Sequence, residues 1–588
     1  LRGPEAARAL GRLGDETAIA ALLRLLAGNQ LTATRVAAVA LAEVHERSLR
    51  RYATEAAFER ALAPHADKGT IEARLERALR GADATEQRAM GTLLGFFSST
   101  ASVESLRLLL AESRPVAEAA AASLARLVRV GTVQVPELFE GASSEQLELL
   151  IPRLSGSAAA VPALIDCLRD ADGRVRVMAC DALAKTGDPS CASALFELLG
   201  DPDIAVSQAA GGALTALGTR EIEDLALAAA AGAPKSRRQA ALRIVGHFGS
   251  ERSLPVLLQA AAHGDERSRE IALSGLGNVG GESARQALLD AARHESARTR
   301  AAAIRGLGHL DATPAVVQGL REATNDSDAW VRYYACQALG NVGDVDATEL
   351  LAARAQDSAG QVRVAAIEAM SKLKTPAALQ VLARAATDDD GELRRAALAG
   401  VGATRQSALL PLLLDASYAS EIATRLVAVS GLANFHEAAA LGRVCEVAQG
   451  DPEASVRHAA IELLADNPAP SATAALIALL SDSAYQDRAV NALASSAAAR
   501  VHQLVAALAP APADVAEALV TVLTKLPPAA SEPLLLAALG GPNEHARRAA
   551  VRALRFAFDS QATRLALARA AHQDSDPEVR RVAAAPLP

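Results

Sequence analysis

Three His-Glu pairs are the residues of this chain whose types could bind a metal ion. Imidazole nitrogens and carboxylate oxygens are common ligands of iron and zinc. The pairs are His45-Glu46, His294-Glu295 and His436-Glu437, and they lie at unequal intervals in predicted loops and helix ends. Because a shared ion needs ligands at matching positions of neighbouring elements, this spacing argues against a metal centre. We predict no metal and no other cofactor.

The sequence also lacks the motifs of other catalytic chemistry at positions where they could act. No nucleophile elbow, phosphate-binding loop or dinucleotide-binding pattern stands between a predicted strand and a helix. The five cysteines show no Cys-x-x-Cys spacing, which favours small buried residues in a reducing compartment; they are Cys167, Cys180, Cys191, Cys336 and Cys445. The sequence therefore predicts a cytoplasmic protein without catalytic activity.

A group of rare residues stands out within DAWVRYYACQ, residues 328–337, which holds the only Trp and two of the five Tyr. Two interpretations are open. In the first, Tyr334 fills a gap between helices and Trp330 covers a helical turn. In the second, the group is a contact site for a partner, because Trp and Tyr are favoured at the centres of interfaces. For that site we predict an exposed Tyr333, and the candidate protein-binding residues are Trp330, Tyr333, Arg305 and Gln337.

The elements that position these residues must be helices that pack closely. Of 588 residues, 51% are hydrophobic but only 3% are aromatic, and alanine and leucine supply most of the apolar content. The net charge is −8, with acidic and basic residues interspersed. No apolar run reaches the roughly 18 residues of a membrane span. The composition predicts no transmembrane segment and gives no sign of a surface for nucleic acid.

An internal repeat organises most of the chain, with steps of 31 or 32 residues between equivalent positions. From each such anchor position, small or apolar residues recur at +3, +4, +7, +8 and +11, which is one face of a helix, and a second amphipathic run precedes the anchor. One hairpin cannot bury both apolar stripes alone, so hairpins must stack. We predict an all-α fold, an α-solenoid of about 18 to 19 helical hairpins. The anchors are Val175, Val206, Arg237, Ser268, Thr299, Val331, Val362, Leu393, Thr424 and Val456.

Polar residues recur in the same register. Acids stand at −5 and at −3, and the −3 position is where a helix N-cap belongs. An Arg follows at +1 in most repeats, so we expect the two columns to pair as a structural ladder. The ladder residues are Asp172, Asp203, Asp328 and Asp390 at −3, with Arg176, Arg300, Arg332, Arg363, Arg394 and Arg457 at +1.

The pattern D-x-D-x-x-V-R-x-x-A-x-x-A-L-G-x-x-G-D resembles the short bacterial HEAT-like repeats first associated with phycobilisome lyases. The resemblance covers most of the chain and implies an α-solenoid. Deoxyhypusine hydroxylase, a HEAT-like enzyme, binds two irons through His-Glu pairs near the +2 position, where this chain carries residues such as Val177, Glu270 and Tyr333. The resemblance therefore implies no metal site here.

Some HEAT-like DNA glycosylases bind DNA on a basic concave face. The corresponding +6 column of this chain includes Arg243 and Arg305 but also Asp181, Glu368 and Glu462, so its charges cancel. A phosphate-binding surface needs several unpaired cations. The column argues against nucleic acid as a partner.

Departures from the period predict the segments of the array. We expect N-terminal HEAT-like repeats over 1–45, an irregular helical insertion over 46–86, degenerate repeats over 87–160, a regular array over 161–470 and degenerate C-terminal repeats over 471–588. Both ends fall inside repeats rather than in polar caps, which is expected either of a longer full protein or of a chain that has been cut.

The functional prediction is a non-catalytic scaffold or adaptor that binds protein partners along an extended curved surface. The alternative is a bilin-lyase-like or other small-molecule-handling HEAT-repeat enzyme. The sequence leaves the identity of the partner and the oligomeric state open.

Overall fold

The computed structural model describes residues 2–13, 18–28, 30–52, 55–62, 68–97, 99–558 and 560–585. Within these ranges the chain forms 38 α-helices, several short 3-10 turns and no strand. This confirms the predicted all-α solenoid, and 38 helices agree with the predicted 18 to 19 hairpins. None of the described helices is both long enough and apolar enough to cross a bilayer. The chain divides into two compact units, residues 1–154 with 461–588, and residues 155–460.

The unit of residues 155–460 is a regular stack of hairpins, in which odd-numbered helices are the first of each hairpin and even-numbered helices the second. Each second helix from α12 to α26 packs on the second helix of the next hairpin. The helices that begin in this unit are α11 (Val161–Cys167), α12 (Gly173–Thr186), α13 (Ala192–Glu197), α14 (Ile204–Leu217), α15 (Arg220–Gly232), α16 (Lys235–Phe248), α17 (Leu254–His263), α18 (Glu266–Val279), α19 (Gly281–Ala291), α20 (Ala297–Leu307), α21 (Pro314–Ala323), α22 (Ala329–Val342), α23 (Thr348–Arg354), α24 (Gly360–Leu373), α25 (Pro376–Ala385), α26 (Gly391–Thr404), α27 (Leu410–Ala416), α28 (Ile422–Leu432), α29 (Ala438–Gly450) and α30 (Ala454–Ala465).

Local sequence sets the ends of these helices, as the hairpin of α21 and α22 shows. Thr313 caps α21 by accepting a hydrogen bond from the N–H of Val316, and a proline occupies the first turn. Asp328 caps α22, because its side chain accepts hydrogen bonds from the N–H groups of Trp330 and Val331. Gly343 ends α22 with a φ of 72°, a left-handed conformation that glycine adopts without strain.

Small residues allow the second helices to approach each other closely. A Cβ on Gly275 of α18 would lie 2.8 Å from the Cα of Gly246 in α16, and a Cβ on Gly277 would lie 2.8 Å from the Cα of Gly306 in α20. Atoms cannot approach that closely without a shift, so these crossings require glycine. Alanine, leucine and valine fill the remaining core.

The other unit joins the two ends of the sequence. Within it, α3 lies against α34 and α4 against α36, and Nη1 of Arg60 donates a hydrogen bond to the carbonyl oxygen of Ala557 at 3.2 Å. Its helices are α1 (Arg2–Leu13), α2 (Ile19–Leu26), α3 (Leu31–Tyr52), α4 (Ala56–Leu62), α5 (Lys68–Leu79), α6 (Ala84–Leu94), α7 (Thr100–Leu109), α8 (Arg114–Arg129), α9 (Val135–Phe139), α10 (Ser144–Leu154), α31 (Pro470–Ala478), α32 (Gln486–Ser495), α33 (Ala497–Leu508), α34 (Ala513–Thr524), α35 (Pro528–Leu539), α36 (Glu544–Ala557), α37 (Gln561–Gln573) and α38 (Pro577–Ala584). The five segments expected from the sequence remain a prediction.

Candidate functional site

Three aromatic side chains of α22 form one cluster on the surface of residues 155–460. The ring centroid of Trp330 lies 5.4 Å from that of Tyr333 and 6.3 Å from that of Tyr334, and the two tyrosine rings are 5.1 Å apart. The edge-to-face geometry of the pairs that include Tyr333 is a favoured one for aromatic rings. Trp330 stays 54% exposed, so the cluster presents a large aromatic surface to solvent.

Each tyrosine of the cluster has a polar neighbour, Gln337 for Tyr333 and Arg305 for Tyr334. The Gln337 side-chain amide donates a hydrogen bond to the hydroxyl of Tyr333 at 2.7 Å. Burial raises the pKa of Tyr333 above its usual value, with the charge of Glu368 acting in the same direction. The guanidinium carbon of Arg305, on α20, lies 5.6 Å from the ring centroid of Tyr334. The candidate residues Trp330, Tyr333, Arg305 and Gln337 therefore lie in one neighbourhood, which Tyr334 connects.

Two burial details differ from the expectation. Tyr333 is half-buried rather than exposed, because its ring lies between the other two rings and Gln337. Tyr334, expected to fill a gap in the core, is also half-buried and reaches the wall of a surface groove. The position at +3 is occupied by alanine in several repeats, and a tyrosine ring there extends beyond the core.

A groove runs from the aromatic cluster across the second helices of neighbouring hairpins. One part, of about 280 Å³, is lined by Trp330, Tyr334 and Arg305 together with Arg267 and Arg298. A second part, of about 310 Å³, shares Arg267 and Arg305 and continues to α16. The two parts thus form a continuous groove over α16, α18, α20 and α22, which we call the arginine groove.

Positive charge dominates the arginine groove. Nη1 of Arg267 lies 2.9 Å from a carboxylate oxygen of Glu270, and Nε of Arg298 lies 2.8 Å from the other oxygen. Arg305 donates to the hydroxyl of Ser274, and neither it nor Arg243 forms an ion pair with any described residue. One buried carboxylate therefore serves two of the four guanidinium groups.

Outside the groove, the Arg column at +1 forms a ladder of ion pairs between hairpins. Both Nε and Nη2 of Arg332 bond to the carboxylate of Asp357 in the next hairpin, at 2.9 and 2.7 Å. Its Nη1 donates to the carbonyl oxygens of Asp326 and Ser327 in its own turn. The same two-pronged geometry joins Arg176 to Asp201, Arg300 to Asp326 and Arg425 to Asp451.

Both acidic columns of this ladder supply ion pairs, and the −3 column also caps the second helices. Residues at −3 cap the second helices; Asp172, Asp203, Asp328 and Asp390 each accept from a backbone N–H of the first turn. The −5 acids pair with Arg176, Arg300, Arg332 and Arg425. Arg363 pairs instead with Asp390 and Arg394 with Glu421, both of which stand at −3. Arg457 donates to the carbonyl oxygen of Ala448.

Comparison with known proteins identifies the repeat. The family model of HEAT repeats matches residues 161–243, 222–308, 285–371, 317–402 and 501–587, which together cover more than half of the chain. The chain belongs to the HEAT-repeat family. A model of the phycobilisome-lyase type of HEAT-like repeat also matches residues 5–28. A comparison with curated protein sequences gives no match.

Solved structures share the solenoid fold with these HEAT repeats. A structure of the Kap95:Nup1 complex is similar with a TM-score of 0.50 and 13% identity, over 96% of this chain and 88% of that one. Importin beta, crystallised from ammonium sulfate, aligns over the same shares of the two chains with a TM-score of 0.40 and 12% identity. The likeness is one of fold.

The three His-Glu pairs take up separate structural positions in the HEAT array. His45 is buried with its ring 4.9 Å from Phe58 and 5.3 Å from Phe96, and burial, with the charge of Arg126, lowers its pKa to about 4. His294 belongs to a turn in which its Nδ1 accepts from the N–H of Ser296. Glu437 is the N-cap residue of α29. No cluster of metal-ligating side chains occurs in the described ranges.

The arginine groove was not predicted, because no single column of the repeat shows it. The +6 column is balanced over the whole array, yet Arg243 and Arg305 stand only two HEAT hairpins apart. The −1 column adds Arg267 and Arg298 on the same helical face. Reading the −1 and +6 columns together over three successive hairpins would have indicated the groove.

Proposed function

We propose that this HEAT-repeat chain is a non-catalytic scaffold that binds a protein partner on the second-helix face of residues 155–460. The aromatic cluster of α22 is the central contact, and Arg305 and Gln337 extend it. The alternative, a small-molecule-handling enzyme, has no comparable group of side chains to support it in the described residues.

The exposed indole of Trp330 is the observation that carries this proposal. Trp330 and Tyr418 are the two aromatic residues among the exposed large hydrophobic side chains of the described ranges, and Trp330 is 54% exposed beside two tyrosine rings. Trp, Tyr and Arg supply most hot spots of protein interfaces. A rigid aromatic group also loses little conformational entropy on binding, so it contributes efficiently to affinity.

Affinity capture from the native lysate tests the proposal, with Trp330→Ala as the first variant. We expect one partner to be retained by the wild type and released by the variant, with a loss of affinity of at least about tenfold, as for a typical hot-spot residue. Because Trp330 is largely exposed, its removal should leave the melting temperature almost unchanged.

Tyr418→Ala is the matched control, since Tyr418 is another exposed aromatic residue, 66% exposed, and the guanidinium of Arg443 lies 3.6 Å from its ring centroid. The control should keep the partner. Tyr333→Ala should also weaken binding, because Tyr333 supports both other rings. Retention of the partner by Trp330→Ala, or a coloured eluate with bound pigment and no protein, would contradict the proposal.

A further inference from the structure

We propose that the arginine groove binds an acidic peptide segment of the protein partner. The segment would place carboxylates beside Arg243, Arg267, Arg298 and Arg305, and an apolar side chain against Trp330 and Tyr334. This inference rests on the proposed function, because it names the chemistry of the partner that the same face would recognise.

Unbalanced charge in the groove is the first argument. Arg267 and Arg298 share the carboxylate of Glu270, which is 8% exposed, and Nη1 of Arg298 also lies 3.7 Å from the carboxylate of Glu266. Arg243 and Arg305 have no acidic partner among the described residues. Burial lowers the pKa of Arg243, and the neighbouring charge of Arg267 acts in the same direction. A ligand that brings negative charge would relieve this mutual repulsion.

Glu270 prepares the groove for such a ligand. Its Oε2 accepts hydrogen bonds from Nη1 of Arg267 at 2.9 Å and from Nη2 of Arg298 at 3.3 Å, and Nε of Arg298 lies 2.8 Å from Oε1. Each guanidinium has five N–H donors, so both arginines keep donors for carboxylates of a partner. Side chains that are already positioned lose less entropy when a ligand binds.

The dimensions of the groove favour a peptide. It crosses four second helices, α16, α18, α20 and α22. Helix axes packed about 8 to 10 Å apart give a length of roughly 25 to 30 Å. An extended segment of about eight residues spans this length.

Two features argue against a nucleic acid in the groove. Of the four groove arginines, Arg243 and Arg305 lack an acidic partner among the described residues, whereas binding along a phosphate backbone needs a longer series of cations. Asp328 also lines the groove, and its carboxylate accepts from the N–H of Trp330 at 2.8 Å. A fixed acid beside the aromatic end would repel successive phosphates.

Fluorescence of Trp330 provides a direct test, since it is the only Trp of the chain. The probe is an unlabelled synthetic peptide, Gly-Glu-Glu-Leu repeated twice, titrated into the full chain at low salt. We expect a saturable change in Trp emission that weakens as salt increases. The peptide with Lys in place of Glu and a single-stranded thymidine octanucleotide should give no saturable change.

Charge reversal locates the binding site. The double variant Arg243→Glu/Arg305→Glu should bind the acidic peptide at least about tenfold more weakly, since each change replaces an attraction by a repulsion. Arg169→Glu/Arg384→Glu is the matched control, because both arginines are exposed and lie outside the groove, and it should bind like the wild type. Circular dichroism melting curves equal to that of the wild type would show that both double variants are folded.

The outcomes separate this inference from the proposed function. If the acidic peptide leaves Trp emission unchanged, or binds the groove variant as well as the wild type, the acidic-peptide inference is wrong. Should Trp330→Ala still release the captured partner in that case, the scaffold function stands without it. Preferential binding of the oligonucleotide would overturn the choice of a peptide, and retention of the partner by Trp330→Ala would overturn the function itself.

Discussion

Neighbouring interfaces within residues 155–460 are held together in two different ways. Between α22 and α24 the bidentate pair of Arg332 and Asp357 is nearly buried, with side-chain exposures of 12% and 4%. At the α16–α18 and α18–α20 interfaces the acid of the ladder is replaced by His263 and His294. Without that ion pair, these two interfaces keep the glycine contacts of Gly246 with Gly275 and of Gly277 with Gly306, and their backbones are as close as those of Gly340 and Ala369 between α22 and α24.

This difference shows how one repeat can serve stability in one place and binding in another. Where the ladder is complete, each Arg at +1 is neutralised by the next hairpin. Where it is interrupted, Arg269 donates only to the carbonyl oxygens of Ala261 and Gly264. The interruption at His263 and His294 coincides with the arginine groove, so these two hairpins lack the ladder acid and carry the positive charge of Arg267 and Arg298.

The largest expected effect comes from breaking a complete ladder pair. Asp357→Ala leaves Arg332 with a nearly buried, uncompensated charge, and we expect a loss of about 3 kcal/mol in the free energy of local unfolding. Arg269→Ala, at an interrupted position, should lose only about 1 kcal/mol, since it removes hydrogen bonds to backbone carbonyls. Hydrogen exchange of the amides in α18, α22 and α24 measures both values. Equal losses would remove the distinction between the two interface types.

A glycine contact should be the next most sensitive feature. Gly275→Ala places a Cβ 2.8 Å from the Cα of Gly246 and 3.2 Å from Leu257, so the helices must separate. We expect a loss of about 2 kcal/mol in the free energy of unfolding from overpacking. Gly212→Ala is the control, because nothing lies within 4 Å of a Cβ there and a helical alanine should gain up to about 1 kcal/mol. Urea unfolding followed by circular dichroism compares the two variants.

Lowering the pH should weaken the ion pair between Arg332 and Asp357. The bond from Arg332 holds the pKa of Asp357 below its usual value, so the carboxylate stabilises the fold above about pH 4 and this stabilisation is lost as the pH falls through the folded-state pKa. The difference in unfolding free energy between wild type and Asp357→Ala should therefore shrink from pH 6 towards pH 2.5. A constant difference across this range would show that Asp357 acts by packing rather than by charge.

Restoring a missing ladder acid should have the smallest effect. His294→Asp places a carboxylate at the position from which Asp326 and Asp357 bind Arg300 and Arg332. A partly exposed pair with Arg269 should add about 0.5 to 1 kcal/mol to the free energy of unfolding. The same variant should reduce acidic-peptide binding slightly, because it brings negative charge close to the groove. Unchanged stability would indicate that the glycine contact already fixes this interface.

Most of the fold could be predicted from the sequence, whereas the details of the site could not. The period, the helical faces and the capping role of residues such as Asp328 follow from local patterns, since each depends on a few neighbouring positions. The partner of each ladder Arg depends on the stacking geometry between hairpins, and both acidic columns were compatible with the spacing. The arginine groove combines positions from four second helices, and the half-burial of Tyr334 depends on its neighbours Trp330 and Arg305.

In the turn before a second helix, one residue can both accept a backbone hydrogen bond and supply the charge of the ladder. Asp326 accepts from the N–H of Asp328 and also supplies the negative charge that binds Arg300. His294 keeps the first task, since its Nδ1 accepts from the N–H of Ser296, and drops the second. A single substitution can thus change the charge of a repeat while the hydrogen bond that shapes its turn is kept. In a long array, the charge of the surface can therefore change one hairpin at a time, and each substituted chain can still fold.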